Sequence, residues 1–271
     1  MGAMENKNIV STGTDQKSVA MSHSPIPNSQ YLINYILHLA DSLLIQSQRL
    51  GEWTGHGPAL EQDIALTNIA LDQLGQARNL FQYAAVLMAD GSTEDSLAYF
   101  RDVHEFKNHL LVELPNGDWG QTILKVFFFS VHQQHLFEQL LSCDDEQLSA
   151  IAEKSLKEIN YHVRWSSEWV VRLGDGTEES HQRMKRALDD LWMFTNALFE
   201  KPSYDLGWID YESLQQNWMR KIAEVFKEAN LFIPSLVSFQ KGGHNGIHTE
   251  HLGYILAEMQ WLQRVYPNNE W

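Results

Sequence analysis

The sequence has little cysteine, few basic residues and no long apolar stretch. Its single cysteine, Cys143, excludes an internal disulfide, a four-cysteine zinc site and a cysteine-held iron–sulfur cluster. Lysine and arginine number 20 against 35 aspartates and glutamates, which gives a formal net charge of −15. Nucleic acids and anionic membranes are bound by basic patches, so this balance argues against both as partners. No apolar stretch approaches the roughly 20 residues that cross a bilayer, and we expect a cytoplasmic protein.

The first 28 residues are polar and lack the apolar core of a secretory signal. The opening Met-Gly-Ala-Met is typical of a cloning remnant placed ahead of a natural start at Met4. We predict a disordered N-terminal segment over 1–28 and a single folded domain over 29–271. With 44% apolar and 11% aromatic residues, the chain has ample material for a hydrophobic core.

Prolines and glycines divide the remainder into helical segments. All seven prolines can be placed at or outside helix ends, and apolar residues recur between them with a helical period. The predicted helices span 30–53, 58–89, a segment starting near 118, 144–173, 177–200, 210–229 and 249–265, with a short one near 97–109. The four long helices over 30–53, 58–89, from about 118 and over 144–173 have the size expected in a ferritin-type bundle. We predict an all-α fold, a ferritin-like four-helix bundle core with additional C-terminal helices.

Polar residues interrupt the apolar helices, and several share one helical face. In the helix predicted over 58–89, Asn68, Asp72 and Gln76 recur at steps of four residues. The rest of that helix is apolar almost all round, so we expect it to be buried. The predicted polar core consists of Asp41, Gln48, Glu52, Asn68, Asp72, Gln73, Gln76, Glu158 and His162.

Inward carboxylates and histidines in long bundle helices are typical of a di-iron site. Such a site needs a Glu from each of two helices and a Glu-x-x-His motif from each of the other two. The chain has one such motif, Glu178-x-x-His181, which lies in the first turn of a predicted helix. Metal sites of bundles lie mid-helix, so we interpret this motif as an acidic helix start.

The core positions that should carry the motif are altered. Gln73 and Gln76 form a Gln-x-x-Gln, and Ile159 stands three residues before His162. Glutamine is neutral and a poor ligand for iron, so we predict a metal-free polar network with no catalytic residue and no cofactor in this chain. The alternative is a divergent di-iron site built from Glu52, Asp72, Glu158 and His162.

A glycine-rich turn over 242–246 precedes the last predicted helix. Thr249 is placed to cap that helix. We interpret the nearby histidines as groups that hydrogen-bond to a neighbouring subunit or to the bundle, rather than as a metal site. A lysine beside a helix N-terminus also suits a CoA phosphate. The candidate contacts for a partner or a CoA ester are Lys241, His244, His248 and His251.

Four stretches of the chain resemble one known family. They are LIQSQRLGEWTGHGP (44–58), IALDQLGQAR (69–78), ALDDLW (187–192) and GIHTEHLGYILAEMQ (246–260). These stretches resemble the PaaC-type subunits of bacterial phenylacetyl-CoA epoxidases, and the resemblance extends from about residue 30 to the end of the chain.

The resemblance implies a ferritin-like fold and a place in a multicomponent monooxygenase of aromatic degradation. It implies that the chain is the structural, metal-free partner of a homologous PaaA-type catalytic subunit, which holds the di-iron centre. That complex, with a reductase and small accessory proteins, uses dioxygen and reducing equivalents to epoxidise the ring of phenylacetyl-CoA. We expect a hetero-oligomer, with a homodimer as an option for the chain alone. The alternatives are a di-iron oxygenase with altered ligands and a stand-alone helical binding protein.

Overall fold

The computed structural model describes residues 1–2, 29–235, 238–267 and 269, which fold into nine α-helices without a strand. The helices are α1 (Ser29–Gly51), α2 (Leu60–Met88), α3 (Glu94–Tyr99), α4 (Leu110–Glu113), α5 (Trp119–Leu140), α6 (Glu146–Gly174), α7 (Glu178–Leu191), α8 (Tyr211–Glu228) and α9 (Glu250–Val265). The predicted all-α class is confirmed. The segment predicted to be disordered lies, apart from residues 1–2, outside the described residues. Within those ranges no helix has both the length and the apolar run that a membrane span needs.

Four long helices form the central bundle. α1 and α2 pack as an antiparallel hairpin, α5 and α6 form a second hairpin, and α2 lies against α6. This is the ferritin-like arrangement that the sequence predicts. α7 and α8 cover α5 and α6, whereas α9 packs against α1, α3 and α4. The buried apolar side chains of these layers form one continuous core.

Side-chain caps fix where the helices begin. Asp118 accepts a hydrogen bond from the Gln121 N–H over 3.0 Å at the start of α5. Asp145 accepts one from the Leu148 N–H over 2.7 Å at the start of α6. The same role is played at α7, α8 and α9 by Thr177, Asp210 and Thr249. Each cap satisfies a backbone N–H that has no partner within its helix, a contribution of about 1 kcal/mol.

Two connections differ from the prediction. The short helix expected near 97–109 is α3 at Glu94–Tyr99, followed by a 3-10 turn at Val103–Glu105 and the one-turn α4. The helix expected to run to residue 200 ends at Leu191 and continues as 3-10 turns. The reason lies at Thr195, whose hydroxyl and N–H both donate to the Trp192 carbonyl, over 2.8 and 3.1 Å, and tighten the chain.

The expected burial of α2 is wrong for one of its faces. Leu71 is 59% exposed and Leu60 is 73% exposed, although Leu66 and Ile69 on the other side are buried. The apolar α2 face, as we call it below, consists of Leu60, Ile64, Leu71 and Leu74. A helix that is apolar all round needs cover on every side, and the described residues of the chain cover only part of α2.

Candidate functional site

The candidate site lies where α2 meets α6, a region we call the α2–α6 seam. Asp72 and Gln76 are one turn apart on α2, and Glu158 and His162 are one turn apart on α6. His162 Nε2 lies 3.0 Å from Asp72 Oδ2, and Gln76 Nε2 donates to Glu158 Oε2 over 2.8 Å. The structure therefore brings together four residues of the predicted polar core, as two pairs that link the bundle's hairpins.

The seam passes from the interior to the surface. The His162 side chain is 1% exposed, whereas that of Asp72 is 34% exposed. Asp72, Gln76 and Glu158 line a surface groove of about 240 Å³. The two pairs thus have one side in the core and one side in contact with solvent.

Further polar side chains lie in the bundle behind the seam. Gln73 of α2 belonged to the predicted core and is buried, and so are Gln46 of α1 and Ser130 of α5, which were not predicted. The burial of Gln46 could have been predicted from the sequence, because Gln46 stands three residues after Leu43 and four before Leu50, in a buried apolar row. The interior is therefore more polar than the sequence predicted.

Asp41 is buried but belongs to a different contact. Arg101 donates to its Oδ2 over 3.1 Å and makes a second, shorter contact with Oδ1. The Lys107 N–H also donates to Oδ2 over 2.9 Å. These bonds hold the connection between α3 and α4 against α1, so Asp41 has a structural partner away from the seam.

Three other members of the predicted polar core lie at the surface, which corrects that prediction. Glu52 follows the end of α1, where its carboxylate lies 2.7 Å from Arg49 and accepts from Asn116 Nδ2 over 2.9 Å. Asn68 is exposed, and Gln48 lies in a groove beside α9. Asn68 is exposed because it stands eight residues before Gln76 on α2, and eight residues of helix turn its side chain about 80° away from that of Gln76.

The donor set of the seam does not fit a di-iron centre. Gln73 and Gln76 of α2 have the three-residue spacing of the motif but are not an acid and a histidine, and the buried Ile159, not an acid, stands three residues before His162. Glu52 does not join the seam, so the alternative four-residue site is not assembled. Across the described ranges, no group of three or more His, Cys, Asp or Glu is placed to hold a metal.

The turn before α9 packs inward around Glu113. His248 Nδ1 lies 2.9 Å from Glu113 Oε2, and His248 Nε2 lies 2.9 Å from the Phe106 carbonyl oxygen. The Thr249 N–H donates to Glu113 Oε1 over 2.5 Å, and Asn108 Nδ2 donates to Oε2 over 2.9 Å. These residues form what we call the Glu113 network. His248 thus bonds within the chain to α4 and to the segment before it, and a bond from one of these histidines to a neighbouring subunit stays a prediction.

The residues predicted to contact a partner or a CoA ester divide into two groups. His244 is buried, and so is the His248 side chain, so neither is available to an external molecule, which corrects the prediction. Lys241 is exposed, with its Nζ 3.8 Å from a Glu200 oxygen, and His251 is partly exposed. A contact of Lys241 or His251 with a CoA ester stays a prediction.

His244 belongs to a buried histidine cluster that no local motif reveals. The ring centroids of His38 and His109 are 4.5 Å apart, those of His109 and His132 5.1 Å, and those of His38 and His244 6.3 Å. Burial lowers the pKa of His38 to about 4 and that of His132 to about 3. It also lowers the pKa values of His109 and His244. The four rings are therefore neutral near pH 7 and act as packed polar groups.

The chain matches known proteins along most of its length. The model of a family described as phenylacetic acid catabolic protein matches residues 16–271, a range that contains every helix described above. The chain is also similar to a protein of Escherichia coli (strain K12) that is a subunit of the 1,2-phenylacetyl-CoA epoxidase, with 46% identity over 246 residues. That alignment covers 89% of this chain and 99% of the Escherichia coli protein.

Proposed function

The chain belongs to the family of phenylacetic acid catabolic proteins, and on that premise we propose that it is the structural, metal-free subunit of a phenylacetyl-CoA ring epoxidase. In this proposal a homologous PaaA-type catalytic subunit holds the di-iron centre and carries out the oxygen chemistry. The present chain binds no iron. It completes and positions the catalytic subunit and has no catalytic residue of its own.

The composition of the α2–α6 seam is the observation that carries this proposal. Two glutamines and an isoleucine occupy positions where a di-iron bundle needs acids and a histidine. The remaining histidine, His162, is bonded to Asp72, and Glu158 is bonded to Gln76. Each pair is bonded across the two helices, which favours a helix-linking role over metal binding.

The apolar α2 face supports the proposed pairing. Leu71 and Leu74, with Met259 of α9, line a groove of about 510 Å³. Exposed apolar patches of this kind mark interfaces between proteins. Glu52 and Glu258 line the same groove, so a partner helix with apolar side chains flanked by lysine or arginine suits it. A second copy suits it less, because each copy carries a net charge of −15.

Iron analysis tests the metal-free role. The chain is expressed alone in iron-rich medium and, separately, together with the catalytic subunit. We expect essentially no iron in the chain alone and iron only in the complex, in proportion to the catalytic subunit. About two irons per chain in the protein expressed alone, the complement of a di-iron bundle, would contradict the proposal and support the divergent oxygenase.

Surface variants test the pairing. Leu71→Glu and Leu74→Glu place a charge on the apolar α2 face, and both should abolish co-purification with the catalytic subunit. Leu141→Glu is the matched control, since Leu141 is 43% exposed against 41% for Leu74 but lies at the end of α5. Equal co-purification of all three variants would place the interface elsewhere.

A further inference from the structure

Eight polar side-chain atoms on the four long helices have no hydrogen-bond partner within the described part of the chain. Three of them belong to Tyr35, Trp119 and His132. The other five are Oε1 and Nε2 of Gln46, Oε1 of Gln73, Oε1 of Gln76 and Oγ of Ser130. All four side chains are at most 2% exposed. An unpaired buried polar atom costs roughly 1 to 3 kcal/mol. Native interiors therefore leave very few of them unsatisfied.

The packing of α1 on α2 places two of these side chains at one level. Thr54, just past the end of α1, has its Oγ1 3.2 Å from Thr67 Oγ1 of α2, which fixes the register of the antiparallel pair. Gln46 lies eight residues before Thr54, and Gln73 lies six residues after Thr67. They therefore lie within one helical turn of each other, at about 5.4 Å per turn.

The packing of α5 on α6 places Ser130 at the same level. Gln134 Nε2 donates to Asn160 Oδ1 over 2.6 Å, which fixes the register of these two helices. In that register Ser130 lies within one turn of His162. His162 is bonded to Asp72, the residue before Gln73, so all four helices contribute polar groups at this height.

The helical faces show that these side chains point inward. Gln46 shares its face of α1 with the buried Leu43 and Leu50, and Gln73 shares its face of α2 with the buried Leu66. Gln76 lies at the edge of this region. Its Nε2 bonds to Glu158 beside the surface groove, while its Oε1 is buried.

We infer that Gln46, Gln73, Gln76 and Ser130 enclose an internal hydration site at the centre of the bundle. Three of the five unpaired atoms are amide oxygens and need hydrogen-bond donors, which water supplies. Water also accepts from Gln46 Nε2, and the Ser130 hydroxyl can donate to it or accept from it. A buried water makes about three hydrogen bonds, so about two water molecules satisfy the five atoms.

Gln76 is the route by which this water exchanges with solvent. It alone among the four side chains also lines the groove of about 240 Å³ at the α2–α6 seam. Rotation of its amide breaks only the bond to Glu158 and opens the site to the groove. The hydration site does not depend on the proposed function, since it follows from atoms of this chain.

Water magnetic relaxation dispersion tests the inference, because it counts long-lived internal water molecules in solution. We expect the double variant Gln46→Met/Gln73→Met to lose about two such molecules relative to the unaltered chain. Gln260→Met is the control: Gln260 is a buried glutamine of α9 whose Nε2 donates to the Ala98 and Arg101 carbonyls, both over 3.0 Å. The number of long-lived internal water molecules should be the same in the Gln260→Met variant as in the unaltered chain. An unchanged count in the double variant overturns the inference.

A crystal structure of the unaltered chain decides the question even where the double variant does not fold. Ordered water about 2.6 to 3.2 Å from the amides of Gln46 and Gln73 supports the inference. Direct bonds between these amides, with no water between them, overturn it. A bound metal ion at this place also overturns it, and anomalous scattering distinguishes that ion from water.

Discussion

Replacing Glu113 by glutamine tests whether the Glu113 network holds α9 on the bundle. The carboxylate is fully buried and accepts from three groups, which are Asn108 Nδ2, His248 Nδ1 and the Thr249 N–H. Glutamine has nearly the same volume, but its amide nitrogen is a donor. In either orientation that nitrogen faces at least one of these donors, and the negative charge is lost.

The size of the effect follows from the bonds that the buried Glu113 carboxylate accepts. His248 Nδ1 lies 2.9 Å from a Glu113 oxygen, and His248 Nε2 lies 2.9 Å from the Phe106 carbonyl oxygen. A hydrogen bond to a charged group contributes about 1.5 to 3 kcal/mol, and a buried donor left without its acceptor costs about 1 to 3 kcal/mol more. Loss of a neutral hydrogen bond costs only about 1 kcal/mol.

Urea unfolding followed by far-ultraviolet circular dichroism measures this difference. We expect Glu113→Gln to lower the free energy of unfolding by about 3 to 5 kcal/mol, from one lost bond to the carboxylate and one donor left unpaired. Combining it with His248→Phe completes a double-mutant cycle. The double variant should be less destabilised than the two single effects together, with a coupling of about 0.5 to 3 kcal/mol. Glu52→Gln is the control at an exposed ion pair, with an expected change below about 1 kcal/mol.

Two results would refute this reasoning. A loss of about 1 kcal/mol or less for Glu113→Gln would mean that the network behaves as neutral hydrogen bonds. Additive single effects would mean that Glu113 and His248 do not act on each other, whatever their separation.

Three further predictions concern other parts of the fold. Burial lowers the pKa of His38 to about 4 and that of His132 to about 3, so the unfolded chain takes up protons first as the pH falls. The contribution of these histidines to the free energy of unfolding is fully present above about pH 6.5 and falls by up to about 1.4 kcal/mol per histidine for each pH unit below it. Urea unfolding at pH 7.5, 6 and 5 should show this slope, and His132→Phe should make it shallower. Asp41→Asn leaves Arg101 without its buried carboxylate and should cost about 3 to 5 kcal/mol by the same method; a loss below about 1 kcal/mol would contradict this. Gly243→Ala should cost about 1 to 3 kcal/mol in thermal unfolding, because φ is +74° and a Cβ would lie 2.4 Å from a backbone oxygen; an unchanged melting temperature would contradict this.

The helix boundaries could be predicted from the sequence because their causes are local. Asp118 and Thr177 each cap a helix through a backbone N–H three residues on, so the pattern is visible within one turn. The 3-10 turns after Leu191 were not predicted, since the hydroxyl of Thr195 competes with the helix only in the folded geometry.

The candidate site could be predicted only in part. The four-residue spacing of Asp72 with Gln76, and of Glu158 with His162, marks the faces that meet at the α2–α6 seam. The spacing does not show which faces meet across helices. Gln46 enters the interior because of the register of α1 on α2, which no segment of the sequence records by itself.

The exposure of the apolar α2 face could not be predicted from the sequence either. An apolar helix surface indicates that something covers it, but the pattern is the same whether the cover is the chain's own core or another chain. The exposure of Leu60 and Leu71 was therefore not visible in the sequence.

The Glu113 network also sets the order in which the protein is completed during translation. Glu113 and His248 are 135 positions apart, so at about 5 to 20 residues per second their synthesis is separated by roughly 7 to 27 s. Throughout that interval α1 and α2 are free to pair, while the Glu113 carboxylate stays in water without the His248 and Thr249 partners that it has in the folded chain. Contacts so distant in sequence form slowly because a long loop must close first. The docking of α9 is therefore the late step of folding, and it begins only when the last helix leaves the ribosome.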